Sequence, residues 1–168
     1  VYVNISEKIL GLDQPANTPV EVKLIQRTAA IMLQQFKILK SDGTEYDNVE
    51  ITGLSLLNSK TIGQVAGEVS SGEQLYGVQS VNDSTERLYS YENTSSSQPT
   101  TLKIDYVYNN GEIGSCSFPI KSRLKETSDP SIAVWAGYLY KLEVTLRNAA
   151  VDVTVSYTHL RAHETAAN

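Results

Sequence analysis

Apolar and polar residues alternate with a period of two along several stretches of this chain. The alternation runs through Val1–Ile5, Val20–Leu24, Leu102–Tyr108, Tyr138–Leu146 and Val151–Val155. Successive side chains of a β-strand point to opposite faces, so this pattern predicts strands with one buried face. The chain is therefore predicted to be all-β.

Turn-forming residues stand between several of these strands. Ser41–Glu45 (SDGTE) and Tyr108–Glu112 (YNNGE) place Gly after Asp or Asn, which are residues that tolerate a positive φ angle. The second turn predicts a β-hairpin formed by 102–108 and 112–120. Arg147–Ala150 (RNAA) predicts another hairpin, which joins the last two strands.

Residues 25–39 allow two interpretations. The residues Ile25, Ala29, Met32, Phe36 and Leu39 recur at helical spacing, and the Ala, Gln, Leu and Met content of the stretch also suits a helix. A strand is the alternative, and for 28–40 the residues alone leave the choice open.

The middle of the chain has a weaker pattern. Residues 59–86 contain four glycines and many Ser and Gln, and Asn93–Thr101 is a polar stretch typical of a solvated loop. We place a domain boundary within Asn82–Glu86. This divides the chain into an N-terminal β-sandwich domain over 1–85 and a C-terminal one over 86–155.

Composition limits the classes of partner. The 168 residues carry a net charge of −5 without a cluster of Lys and Arg, so they lack the basic surface that nucleic acids require. No run approaches the roughly 18 apolar residues of a membrane helix, and no transmembrane segment is predicted. The chain opens on a strand-like segment without an initiator Met, and we interpret it as a fragment or a processed form.

Few residues suggest chemistry. The single cysteine, Cys116, lies in an alternating stretch and is interpreted as a small core residue, because a nucleophile would need a neighbouring base. Carboxylates such as Glu143 and Asp152 fall on the polar face of predicted strands. Nucleotide-binding glycine motifs and a serine nucleophile motif are absent from the sequence. We therefore expect no catalytic residue, cofactor or metal site, and no enzyme activity.

The C-terminal residues have a separate explanation. Ser156–Thr165 (SYTHLRAHET) resembles the read-through translation of a transposase-type sequencing adaptor, and it contains both histidines of the chain, His159 and His163. Two histidines four residues apart suit a helical metal site, but such a site needs a third ligand. We expect 156–168 to be a non-native, adaptor-derived tail.

Three further stretches carry a family resemblance. They are Val20–Met32 (VEVKLIQRTAAIM), Arg87–Tyr108 (RLYSYENTSSSQPTTLKIDYVY) and Gly137–Val155, which contains GYLYKLEVTL and VDVTV. In this order they resemble the fimbrillin family of Bacteroidales, the subunits of type V pili and their anchor relatives. The middle stretch is the most distinctive, through Tyr91, Glu92, Asn93, Thr94, Ser95, Pro99, Thr100, Leu102 and Ile104. The Arg-Asn pair that the family places before the third stretch is replaced by Val134–Gly137 (VWAG).

The resemblance implies a fold and a mode of assembly. It implies tandem β-sandwich domains of the transthyretin-like or Ig-like Greek-key type, with the N-terminal one incomplete, and a strand in the first half of 25–39. It also implies a lipoprotein exported to the cell surface and outer membrane. Its partners would be other pilus subunits, which add a β-strand to a vacated groove, and host or bacterial surface ligands.

Two functions from different classes follow. The first is a structural subunit or anchor of a pilus that supports adhesion. Strands 20–27 and 138–155 would frame its groove. The predicted groove residues are Val20, Val22, Leu24, Leu142, Val144, Leu146, Val151 and Val153. The alternative is a carbohydrate-binding β-sandwich module of a surface glycan system. In that case Trp135 would be the glycan contact, whereas a lone Trp beside a strand is more often a core or rim anchor.

Overall fold

The computed structural model describes residues 2–4, 23–61, 76–81, 83, 85–122, 131–147 and 150–159. These residues form β-strands, turns and loops and contain no helix, which confirms the predicted all-β class. The strands are β1 (Tyr2–Asn4), β2 (Lys23–Ile25), β3 (Thr28–Leu39), β4 (Glu50–Lys60), β5 (Tyr76–Val81), β6 (Leu88–Tyr91), β7 (Thr101–Val107), β8 (Ile113–Pro119), β9 (Lys121–Ser122), β10 (Ser131–Ile132), β11 (Tyr138–Arg147) and β12 (Ala150–His159).

Eight of the strands form two four-stranded sheets. One sheet has the order β12-β11-β3-β6 and is called the β11 sheet; the other has the order β5-β4-β7-β8 and is called the β7 sheet. Strands β3 and β11 are parallel, whereas the other pairs in both sheets are antiparallel. The remaining strands form two short antiparallel pairs, β1 with β2 and β9 with β10.

The two sheets share one hydrophobic core, and together they form a β-sandwich. The core contains Ala29, Ile31, Leu33, Ile38, Leu88, Tyr140, Leu142, Val144 and Leu146 from the β11 sheet, and Leu54, Leu56, Leu102, Ile104, Tyr106, Cys116 and Phe118 from the β7 sheet. Each sheet combines strands from before and after residue 85. The predicted boundary between 85 and 86 therefore runs through this sandwich, not between two sandwiches.

Strand β3 resolves the ambiguity over residues 28–40, which are extended up to Leu39. Its pairing with β11 contains a β-bulge, because Leu142 lies opposite Leu33 whereas the next residue, Glu143, lies opposite Gln35. Gln34 is the extra residue and is exposed. Before the bulge the odd-numbered side chains of β3 face the core, and after it the even-numbered side chains do. The inward-facing residues therefore step by three from Leu33 to Phe36, whereas Met32 and Leu39 of the helical pattern are not part of the core.

The predicted turns are confirmed by their hydrogen bonds. In the β7–β8 hairpin, the Tyr108 amide donates to the Glu112 carbonyl at 2.8 Å, and Gly111 has a φ angle of 84°. In the β3–β4 loop, the Gly43 amide donates to the Lys40 carbonyl at 3.0 Å. The β11–β12 hairpin is confirmed by the pairing of Arg147 with Ala150.

Strand β4 was not apparent from the sequence pattern. Its pairing with β7 shifts register between Ile51 and Gly53, and its pairing with β5 shifts between Leu56 and Ser59. Each shift interrupts the alternation on which strand prediction depends. Near its end, β4 also contacts the other sheet, because the buried Ser59 hydroxyl donates to the Tyr89 carbonyl at 3.0 Å.

Candidate functional site

The predicted groove residues fall in three places. Val20 and Val22 lie outside the described residues. Leu24 lies in β2, where its backbone pairs with Val3 of β1. Within the described ranges, no pairing joins β2 to β11 or β12.

The β11 residues of the predicted groove belong to the core. Leu142, Val144 and Leu146 are all buried, while Glu143 between them is exposed on the outer face. The buried and exposed positions of β11 therefore follow the alternation that was predicted from the sequence. These three side chains hold the β11 sheet against the β7 sheet.

Strand β12 is the edge strand of the β11 sheet. It pairs with β11 over ten positions, from Tyr138 with His159 to Arg147 with Ala150. On its other side, no strand among the described residues pairs with it. Val151 and Val153, with Val155, are half-buried and pack against the core, whereas Asp152 and Thr154 are exposed. The edge thus combines an apolar inner face with a row of unpaired backbone groups, which is the arrangement that accepts another strand.

Part of the proposed adaptor tail continues this strand. Ser156 pairs with Lys141 and His159 with Tyr138, whereas His163 lies outside the described residues. The adaptor origin of 156–165 stays a prediction. In the part of the chain that the structure describes, no group of three or more His, Cys, Asp and Glu residues is arranged to hold a metal ion.

At one end of the sandwich a polar cluster surrounds Asn93, and we call it the Asn93 staple (Asn58, Asn93, Gln98 and Thr100). Asn93 and Thr100 are buried, Asn58 is half-buried and Gln98 is exposed. The Asn93 side chain is only 4% exposed. Its Nδ2 donates to the Gln98 carbonyl and to Thr100 Oγ1, both at 3.0 Å, and its Oδ1 accepts from the Ser95 amide at 3.0 Å. The Thr100 hydroxyl donates to the Asn58 carbonyl at 3.2 Å. The distinctive Asn93–Thr100 motif therefore fixes a loop to the end of β4.

The staple also reaches the segment before β11. The backbones of Asn93 and Val134 exchange two hydrogen bonds, at 2.9 and 2.8 Å. The next residue, Trp135, is half-buried, and its amide donates to the hydroxyl of the fully buried Tyr140 at 2.6 Å. These contacts place Trp135 at the rim of the core. Its role as a glycan contact stays a prediction.

The opposite end of the sandwich carries a row of aromatic rings, here called the Tyr108 cluster (Phe36, Tyr46, Tyr106 and Tyr108). Phe36 and Tyr106 have ring centroids 5.2 Å apart, Tyr106 and Tyr108 5.5 Å, and Tyr108 and Tyr46 5.3 Å. Tyr106 is buried, whereas Tyr46 is 41% exposed. The row therefore leads from the core to the surface.

Two open clefts adjoin this cluster. One, of about 360 Å³, is lined by Tyr46, Asp47, Tyr108, Asn109, Asn110 and Glu112. The other, of about 430 Å³, is lined by Asn48, Val49, Glu50, Val107, Tyr108, Asn109 and Gly111. Tyr108 and Asn109 line both. Both clefts lie against the β7–β8 turn through Tyr108 and Asn109, and we call the two together the Tyr46 cleft.

Two potential nucleophiles of the β7 sheet, the Cys116 thiol and the Tyr106 phenol, are held in their neutral forms. Burial raises the pKa of the Cys116 thiol to about 11, and the Asp105 carboxylate adds to this shift. Burial, with a hydrogen bond to Tyr108, raises the pKa of the Tyr106 phenol to about 12. Cys116 is a buried core residue, which confirms its interpretation from the sequence. A neutral thiol is a weak nucleophile at physiological pH.

Sequence reasoning missed Tyr46 and Tyr108 as members of a surface cluster. The signal was present, since each tyrosine adjoins a turn segment that also contains Asp or Asn. What was lacking was β4, whose pairing with β7 brings Glu50 opposite Val107 and so sets the β3–β4 loop beside the β7–β8 turn.

Among the described residues, no helix has the length and apolar character needed to cross a membrane.

Comparison with known proteins gives structural matches only. No family model matches the chain, and no curated protein sequence does. A solved "putative cell adhesion protein" from Parabacteroides distasonis superposes with a TM-score of 0.59 at 14% identity, covering 83% of this chain and 53% of that one. At this identity the likeness concerns the fold.

Two further solved structures are more distant. The tip fimbrial protein Mfa3 from Porphyromonas gingivalis, with a C-terminal truncation, has a TM-score of 0.48 at 13% identity over 80% of this chain and 52% of its own. A "putative cell adhesion protein" from Bacteroides uniformis has a TM-score of 0.46 at 14% identity over 84% and 54%. The chain spans about half the length of all three proteins.

Proposed function

We propose that this chain is a structural subunit or anchor of a cell-surface pilus, which assembles by donor-strand insertion and supports adhesion. The observation that carries the proposal is the position of β12, which among the described residues pairs with β11 alone and whose valines are only half-buried. This strand lies in a sandwich whose fold is similar to that of a "putative cell adhesion protein". The proposal places the protein at the cell surface and outer membrane and assigns it no catalytic residue.

The physical basis is the difference between β12 and its neighbour. The apolar side chains of β11 are buried, whereas Val151, Val153 and Val155 of β12 are only half-buried. Apolar burial contributes about 25 cal/mol per Å², so β12 can leave the sheet at lower cost than β11. A strand donated by another subunit would restore the hydrogen bonds to β11 and place its own alternate apolar side chains over the core.

A reversible lock on β12 tests this mechanism. Glu143 and Thr154 lie directly opposite each other and are both exposed. Residues that face each other in an antiparallel pair have Cα atoms about 4.5–5.5 Å apart, which a disulfide can span. Oxidation of a Glu143→Cys/Thr154→Cys variant should therefore fix β12 to β11.

The readout is capture of a synthetic peptide with the sequence of β12, Ala150–His159. We expect the reduced variant to bind the peptide and the oxidised variant to bind at least tenfold more weakly. A peptide carrying Val151→Asp and Val153→Asp is the matched control and should not bind. Failure of the reduced protein to bind either peptide, or equal binding of both, would contradict strand insertion at this edge.

A further inference from the structure

We propose that the Tyr46 cleft binds a neutral, hydroxyl-rich glycan of at least two sugar units. The proposal concerns the end of the sandwich remote from Trp135, and it does not depend on strand insertion. It rests on the exposed ring of Tyr46, the polar groups around that ring, the rigidity of both loops and the size of the cleft.

The exposed ring provides a stacking surface. Tyr46 is 41% exposed and rests against Tyr108, with ring centroids 5.3 Å apart and an interplanar angle of 60°. Tyr108 in turn meets Tyr106 edge-on, so the outer ring is supported by a row that ends in the core. The C–H face of a pyranose packs against such a ring, because aromatic rings combine a large apolar area with a weakly negative face.

The groups around the ring suit hydroxyl ligands. Asp47, Asn109, Asn110 and Glu112 line the cleft with Tyr46 and are all exposed. Carboxylates accept hydrogen bonds from hydroxyl groups, and amides both donate and accept. Three carboxylates (Asp47, Glu50 and Glu112) against a single nearby cation, Lys40, disfavour sialylated or sulfated sugars. The chemistry therefore favours a neutral glycan over an anionic one.

Both loops are already fixed in place. The Tyr46 amide donates to the Ile38 carbonyl at 2.8 Å, and the Lys40 amide donates to the Thr44 carbonyl at 2.7 Å. Across the cleft, Asn110 Oδ1 accepts from the Glu112 amide at 3.0 Å within the hydrogen-bonded β7–β8 turn. A ligand would consequently bind without ordering either loop, which lowers the entropic cost of binding.

The size of the region sets the length of the ligand. The two adjoining volumes, about 360 and about 430 Å³, each lie within the roughly 300–1,000 Å³ of small-molecule sites. Tyr108 and Asn109 line both volumes, so a ligand that contacts Tyr46 in one volume and Asn48 or Glu50 in the other must pass these two residues. A ligand that fills both volumes therefore needs two or more linked sugar units.

Lys40 lies over one side of the Tyr46 ring. Its Nζ lies 5.4 Å from the centroid of the Tyr46 ring. A cation over an exposed ring is stabilised only weakly, and the lysine side chain is flexible. A sugar that stacks on this face of the ring must displace the lysine side chain, which can then donate a hydrogen bond to a sugar hydroxyl.

Binding to an array of immobilised neutral glycans (lactose, maltose, cellobiose, mannobiose and longer homologues) tests the proposal, with sialylated and sulfated glycans as the comparison set. We expect the full chain to bind at least one neutral glycan, and calorimetry with that glycan to show at least a tenfold weaker Kd for Tyr46→Ala. Tyr46→Phe should stay within about threefold, because it keeps the stacking ring.

Tyr89→Ala is the matched control, since Tyr89 is 44% exposed but lies in β6 of the β11 sheet and does not line the cleft. Its affinity should equal that of the wild type within about twofold, and all three variants should keep the wild-type melting temperature within a few degrees. The proposal is overturned if no neutral glycan binds, if only anionic glycans bind, or if Tyr46→Ala and Tyr89→Ala bind alike.

Discussion

The two ends of the sandwich use the same types of residue in opposite ways. At one end, Asn93 and Thr100 are buried, and their polar atoms bond to neighbouring backbone groups. At the other end, Asn109 and Asn110 are exposed beside Tyr46. Strand β7 connects the two ends, because it begins next to Thr100 and ends next to Tyr108.

The difference shows how polar loops divide between stability and recognition. A buried amide must satisfy its hydrogen bonds within the protein, so its contacts fix a unique loop conformation. An exposed amide bonds to water and can exchange that water for a ligand. We therefore expect substitutions at the Asn93 end to change stability, and substitutions at the Tyr46 end to change binding.

Replacing Asn93 tests the comparison most severely. Asn93→Ala removes the donors to the Gln98 carbonyl and Thr100 and the acceptor for the Ser95 amide, while Thr100 keeps its bond to the Asn58 carbonyl. We expect the free energy of unfolding to fall by about 3 kcal/mol. Urea denaturation followed by tryptophan fluorescence measures this, because Trp135 lies next to the staple.

The matched control for Asn93 is the exposed Asn109→Ala, which should change stability by less than about 0.5 kcal/mol. Equal losses in the two variants would mean that the two ends do not differ in the way described.

Gly114 tests how the Tyr108 cluster is built. A methyl group at this position would meet the ring of Tyr106, which lies across the hairpin from it. We expect Gly114→Ala to displace the ring and destabilise the protein by about 2 kcal/mol.

Gly53→Ala is the control for Gly114, since the added methyl group there would only approach the Val81 carbonyl at 3.9 Å. Chemical denaturation of both variants measures the difference. If Gly53→Ala costs as much as Gly114→Ala, the ring of Tyr106 is not the cause.

Alkaline pH should weaken the core near the same cluster. The pKa of Tyr106 rises from 10.0 to about 12 on folding, so between these values the unfolded state has lost a proton that the folded state keeps. Stability is therefore complete below pH 10 and falls as the pH rises toward 12, by about 1.4 kcal/mol at pH 11. Cys116 acts in the same direction from pH 9.0 to about 11.

The variant Tyr106→Phe isolates the tyrosine contribution, because it keeps the ring and removes the proton. Its loss of stability between pH 8 and pH 11 should be about 1.4 kcal/mol smaller than that of the wild type. An identical pH profile for both proteins, measured by urea denaturation, would exclude Tyr106 as the titrating group.

Tyr46→Ala should affect stability less than Asn93→Ala, Gly114→Ala or the titration of Tyr106. Its ring is substantially exposed, so Tyr46→Ala should lower the free energy of unfolding by less than about 1 kcal/mol. A loss as large as that of Asn93→Ala would show that Tyr46 holds the β3–β4 loop in the fold, and its exposed position would then be no argument for recognition.

Sequence patterns predicted the local features of this fold well. The hairpins β7–β8 and β11–β12, the turn near Gly43 and the inward face of β11 all follow from residues close together in the chain. Strict alternation made these strands visible, and turn chemistry set their ends.

The features that the sequence did not predict depend on contacts between distant residues. The bulge at Gln34 and the register shifts in β4 change the phase of the alternation. The parallel pairing of β3 with β11 joins segments more than 100 residues apart, and local pattern contains no information about it. The Asn93 motif was visible in the sequence as part of a family resemblance. Its role as a staple was not, because that role depends on contacts between residues that are distant in the chain.

Hydrogen–deuterium exchange of the full chain, with and without the β12 peptide, tests strand insertion most directly. The β7 sheet also has edge strands, β5 and β8, so the location of the response is informative. We predict that the peptide changes exchange in β11 and β12 and leaves β5 and β8 unaltered. A response confined to β5 or β8, or no response at saturating peptide, would contradict assembly through the β12 edge.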